Sequence, residues 1–162
     1  MTTATRLPGL DQVGSLMQML LGRDVTAAAG AAVALDGSSP AVLAAYRTED
    51  GQLGALIGSD LERACFAGAA LSMVPSGVAA EAVASGELPE NLMENFHEVL
   101  NIASRWFNGA GNPRLILAEV LTLGHDAAPD DIAQALAQPA ERTDFSVNVD
   151  GYGSGSLALL PI

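Results

Sequence analysis

The segment from Leu88 to Asn108 constrains the fold more than any other part of the chain, because it reads as one long amphipathic helix. Pro89 stands where a first-turn proline is tolerated, and Asn108-Gly109 supplies a stop. At ~100° per residue, Leu92, Phe96, Val99, Leu100, Ala103 and Phe107 fall on one side. Glu94, Glu98, Asn101 and Arg105 fall in a strip on the opposite side. Such a helix buries its apolar face against another layer and leaves the strip to solvent.

The rest of the chain supplies that layer. Asp11–Leu21 has a second apolar helical face, stopped by Gly22. Val25–Leu35 reads as an Ala-rich strand, followed by the turn Asp36–Pro40. Ala41–Arg47 and Gln52–Ile57 form a hairpin around Asp50-Gly51. Ser59-Asp60-Leu61-Glu62 is a capping box that opens a helix running to about Met73, with Pro75-Ser76-Gly77 ending it and an Ala-rich helical stretch following to Ser85. Arg114–Leu123 is a β-type run, and Pro129–Gln138 a short helix. Phe145, Val147 and Val149 alternate with polar residues, as in a half-buried strand, and Ser156–Leu160 closes the chain after a glycine-rich turn. The order indicates a single α+β domain over 1–162, built of two similar halves, about 10–87 and 88–162.

Composition narrows the function. With 19 acidic residues against 7 basic ones, the net charge is −12. Phosphate contacts from basic side chains dominate nucleic-acid affinity, so DNA and RNA are poor partners, and an anionic membrane repels the chain for the same reason. No run approaches ~18 apolar residues, the N-terminus lacks a signal-peptide pattern, and a cytoplasmic protein is expected. Cys65 stands alone in an apolar context and reads as a buried small residue. His97 and His125 have no metal-ligand spacing around them, so no metal site or cofactor of the chain's own is expected. The glycine-rich stretches 109–111 and 151–155 lack the Lys and Ser/Thr of a phosphate-binding loop and read as turns.

A polar back is what any amphipathic helix needs, and Glu-to-Arg spacings along it commonly support the helix itself. Asn101 stands out within the strip, because Asn is a mediocre helix former where Lys, Glu or Gln serve better. Glu98-Val99-Leu100-Asn101 resembles the Glu-x-x-Asn signature of the CheC/CheX/FliY phosphatases, which also lies mid-helix. Met19–Val25 is similar to the end of the first helix in CheX proteins, and Gln52–Met73 to their strand followed by a helix. The resemblance spans roughly residues 10 to 160. It implies a mostly antiparallel sheet with long helices packed on it and pseudo-two-fold halves. Three features depart from the pattern. Glu94 stands where the family usually has Asp or Ser, and Arg105-Trp106-Phe107 are bulky where it tends to small residues. Asp11 and Gly14 occupy the comparable places of the first helix, so only one site is expected, as in CheX.

The resemblance further implies a partner, a phosphorylated CheY-like response regulator that brings its own Mg²⁺. A phosphatase for such a regulator supplies neither metal nor nucleophile; it holds a water in line with phosphorus, since phosphoryl transfer is mainly positioning and charge stabilisation. An amide provides one donor and one acceptor for this. By resemblance Asn101 positions the water and Glu98 pairs with the regulator's Lys, with Glu94, His97 and Arg105 as flanking contacts. A homodimer is compatible with the family. A non-catalytic adaptor of the same fold, or a structural self-associating domain, is the alternative, and the bulky Arg105-Trp106 pair is the feature that favours it.

Overall fold

The computed structural model describes residues 7–108, 113–137 and 141–162. In chain order the elements are α1 (Leu10–Leu21), β1 (Val25–Ala29), β2 (Ala41–Arg47), β3 (Leu53–Asp60), α2 (Leu61–Leu71), α3 (Ser76–Ser85), α4 (Glu90–Ala103), β4 (Ile116–Leu123), α5 (Asp130–Ala137), β5 (Thr143–Val149) and β6 (Gly153–Pro161). The strands make one antiparallel six-stranded sheet in the order β1-β5-β6-β3-β2-β4. Exchanging β1, β2 and β3 for β4, β5 and β6 turns this order into its own reverse. The sheet therefore carries the two-fold pattern expected of paired halves, with β3 and β6 at its centre.

Each face of the sheet has its own core, because alternate strand residues point to opposite sides. On one face Val42, Tyr46, Ile57, Phe145 and Leu159 pack against Met17 of α1, Ala67 of α2 and Phe96, Val99 and Leu100 of α4. On the other, Leu43, Leu56 and Leu160 pack against Ile132 of α5 and Val33. Arg47 of β2 ties α5 to the sheet through ion pairs with Glu119 at 2.5 Å and Asp131 at 2.6 Å.

Several boundaries differ from the sequence expectation, each for a physical reason. The strand expected over Val25–Leu35 ends at Ala29. A Cβ at Gly30 would lie 2.6 Å from the backbone nitrogen of Ser146, and beyond it Val33 and Leu35 join the core of the opposite face. The Asp144 carboxylate holds this crossing by accepting from the Val33 N–H at 2.8 Å. The expected Ser59–Glu62 capping box is replaced by Asp60 alone. β3 runs on through Ser59 to Asp60, whose carboxylate accepts from the N–H groups of Arg63 at 2.8 Å and Ser156 at 3.0 Å. α2 stops at Leu71, two residues short of Met73, and Pro75 caps the start of α3 instead of ending α2. The turn expected at 109–111 and the end of the helix expected to reach Gln138 lie outside the described residues.

α2 and α4 approach closely because α2 carries a glycine where they meet. A Cβ at Gly68 would stand 2.5 Å from the Leu92 carbonyl oxygen. The Asn95 side chain, on the polar shoulder of α4, donates to the Gly68 carbonyl at 2.9 Å and locks the crossing. Among the described residues no helix is long and apolar enough to cross a membrane. Cys65 is buried in α2, and burial pushes its thiol up to about 11, away from thiolate chemistry.

Candidate functional site

The exposed face of α4 is built from the core outward. Leu92, Phe96, Val99, Leu100 and Ala103 are all buried, so their helical spacing fixes which residues turn to solvent. Glu94, His97, Glu98 and Asn101 are exposed along one side of α4, and Arg105 is exposed beyond its end. None of these five side chains hydrogen-bonds or ion-pairs with another described residue. Glu98 and Asn101 are less than one turn apart. A polar strip with no intramolecular work leaves a carboxylate and an amide free for a second molecule.

The backbone beneath Asn101 is fixed from the sheet. Tyr46 is fully buried on β2, its hydroxyl donates to the Leu100 carbonyl at 2.5 Å, and burial holds that hydroxyl protonated. Its ring packs against Phe107 with centroids 5.1 Å apart. Beyond the helix, Asn108 donates to the Leu115 carbonyl at 2.9 Å and accepts from the Leu115 N–H at 2.8 Å. The strip's side chains are thus carried on a backbone held from the sheet.

The end of the helix differs from expectation. The α-helix expected over Leu88–Asn108 spans Glu90–Ala103 and tightens into a 3₁₀ turn at Ser104–Trp106. Two 3₁₀ steps at ~120° instead of ~100° rotate Arg105 by roughly 40° from the line of Glu98 and Asn101. The same tightening turns Trp106 inward, where it is 9% exposed. Of the bulky pair, only Arg105 therefore remains exposed at the surface.

Tyr46 carries no signal of its role in the sequence, since its contact lies 54 residues away. Leu88 and Met93, half-buried beside the strip, line a shallow depression with Glu90, Glu94 and His97. His125 follows β4 and is exposed. Among the described residues no group of His, Cys, Asp and Glu is arranged to hold a metal.

No protein-family model matches the chain, and no curated protein matches it. Solved structures do. The FliM middle domain of Vibrio alginolyticus superposes with a TM-score of 0.61 at 14% identity, over 94% of this chain and 88% of that one. The chain has the fold of the FliM middle domain. FliY of Thermotoga maritima shares the fold, with a TM-score of 0.55 at 12% identity over 94% and 88% of the two chains. So does a chain of the FliM–SpeE complex of H. pylori, with a TM-score of 0.59 at 7% identity over 94% and 80%. The FliM/FliY fold is thus the antiparallel α+β architecture that the resemblance to CheC, CheX and FliY implied. Identities this low establish the fold and leave the chemistry to the residues on α4.

Proposed function

We propose that this domain docks a phosphorylated CheY-like response regulator on the exposed face of α4 and speeds hydrolysis of its aspartyl phosphate. The observation that carries the reading is that Glu98 and Asn101 are exposed side by side, free of intramolecular partners, on a helix pinned at Leu100. The Glu-x-x-Asn resemblance supplies the chemistry. Glu98 pairs with the regulator's Lys and fixes the register of docking. The Asn101 amide holds a water on the line opposite the aspartyl oxygen. The water oxygen bonds to phosphorus as the P–O bond to the aspartate breaks, the water's protons depart with the inorganic phosphate, and the regulator's own Mg²⁺, when bound, would offset the charge of the leaving carboxylate. The phosphatase contributes position alone. Glu94, His97 and Arg105 border this contact.

A second reading, a non-catalytic adaptor, is favoured by the likeness to FliM, which is crystallised in complexes with SpeE and with FliG. The inward turn of Trp106 removes one of the two groups that would hold a regulator away from Asn101. Single-turnover decay of phosphorylated regulators from the same genome separates the two. Acceleration that Asn101→Ala reduces by more than about tenfold, roughly 1.4 kcal/mol of transition-state stabilisation, supports the phosphatase. Measurable binding with no acceleration of any cognate regulator leaves the adaptor.

A further inference from the structure

Two depressions meet at the N-terminal end of α4. The first is the shallow one beside the strip, with Glu90, Glu94 and His97 at its rim. The second is a groove of about 490 Å³ that includes Pro40 and Val42 at the start of β2, Leu61 of α2, Glu87, and His125 and Asp126 after β4. Leu88 and Met93 line both, so the two form one continuous surface with an apolar floor. Glu87, Glu90 and Glu94 are exposed, and none of the three side chains has a partner among the described residues. The chain contains no lysine, and among the described residues no arginine lines either depression. The floor is apolar, while the rim presents carboxylates without ionic partners among the described residues. A complementary ligand offers an apolar side chain between cations.

We propose that this double depression docks an amphipathic segment of the partner protein, whose apolar side chain rests on Leu88 and Met93 and whose lysine or arginine residues meet Glu87, Glu90 and Glu94. The proposal rests on the docking reading above and extends it one to two turns along α4 from Glu98. It divides the labour on one helix, with recognition at the N-terminal end and water positioning at Asn101. Because the rim charges are solvent-accessible, they set the association rate and its salt dependence more than the strength of the final complex.

The probe is a fluorescent model peptide with leucines on one helical face and lysines on the other, compared with its leucine–glutamate counterpart. The lysine peptide binds the wild-type protein and the glutamate peptide does not. Glu90→Lys/Glu94→Lys weakens binding by about tenfold or more, as does Met93→Asp, whose fold is checked by circular dichroism. Charge reversal at the distant hairpin, Glu49→Lys/Asp50→Lys, changes it by less than about twofold, because exposed charges beyond a Debye length are screened. Absence of binding, or equal weakening by the hairpin variant, overturns the proposal. So does a wild-type dimer in sedimentation that Met93→Asp dissociates, which assigns the surface to a second copy of the chain. Asn101→Ala binds the peptide as the wild type does, and decay of phosphorylated regulator is scored separately. Peptide binding without phosphatase activity sinks the proposed function alone; activity without peptide binding sinks this inference alone.

Discussion

The hydroxyl of Tyr46 donates a hydrogen bond to the carbonyl of Leu100, the residue immediately before Asn101. The central layer of the protein thereby reaches through the helix to the position from which chemistry is expected. Tyr46→Phe keeps the ring against Phe107 and removes only this bond, which is worth about 1 kcal/mol of stability. If the fixed backbone aims Asn101, the maximal rate of regulator dephosphorylation falls several-fold while half-saturation is unchanged. Denaturant unfolding and single-turnover decay of the same preparation check both parts. An unaltered rate in a destabilised protein shows that the bond serves the fold alone.

Charge reversal at Glu98 separates binding from turnover. Glu98→Lys sets two cations against each other in the docked complex, so half-saturation by the regulator rises by about tenfold or more. Arg105, rotated off the line of the strip by the 3₁₀ turn, acts differently. Arg105→Ala alters affinity or the choice of regulator and leaves the maximal rate within about threefold, a change of under 1 kcal/mol. Titration of the regulator in both variants reads the two effects on one set of axes.

Gly68 and Asn95 set the distance between α2 and α4. A methyl group at 68 would meet the Leu92 carbonyl oxygen at 2.5 Å, and backbone cannot yield as a flexible side chain does. Gly68→Ala is expected to cost about 1–3 kcal/mol through overpacking and to lose the Asn95 hydrogen bond. The comparison with Asn95→Ala, which removes the bond without adding volume, distinguishes the two contributions in thermal unfolding.

Arg63 is a buried cation that makes no direct ion pair among the described residues, and the nearby Asp60 only partly offsets its burial. It is 3% exposed; its Nε and one terminal nitrogen have no hydrogen bond, and the other terminal nitrogen lies 2.9 Å from the Met17 sulfur. Burial lowers its pKa to about 10, so the folded state binds this proton less tightly than the unfolded chain does. The resulting cost is complete below about 10 and shrinks as pH rises from there towards the unfolded value. Arg63→Met therefore stabilises the protein at pH 7, by on the order of 1–3 kcal/mol, and the advantage narrows above pH ~10. Difference curves between variant and wild type cancel the opposing titration of buried Tyr46. A destabilised Arg63→Met would show that the guanidinium is satisfied by solvent or packing.

Asp144 works in the opposite direction. Burial raises its pKa, but the Arg142 guanidinium at 2.8 Å and the Val33 N–H outweigh that and hold it below the ordinary 3.8. A depressed carboxylate contributes stability above its unfolded pKa and loses it as pH falls through the folded one. Asp144→Asn should therefore lower stability at neutral pH and flatten the loss on acidification below pH ~4, measured as urea midpoints across the acid range.

Much of the local architecture was legible from residue patterns. The spacing of Leu92, Phe96, Val99 and Leu100 alone determined which side of α4 is buried, and so placed Glu94, Glu98 and Asn101 at the surface. Asp50-Gly51 set the β2–β3 hairpin, with Gly51 at φ 87°, and the alternation at Phe145, Val147 and Val149 set the inner face of β5. These features are short-range, because helix and strand periods turn sequence directly into direction. What only the tertiary structure decided depends on residues far apart in the chain. β1 ends at Ala29 because Gly30 passes against Ser146; Asp60 caps α2 because β3 continues to pair with Ala41. α4 gives way to a 3₁₀ turn where Phe107 meets Tyr46, which moves Arg105 aside and buries Trp106. Likewise, Leu88 and Met93 become a shared floor only when the starts of β2 and α2 close around them. Periodicity fixes which way a side chain points, whereas its neighbours are fixed by packing across the whole chain.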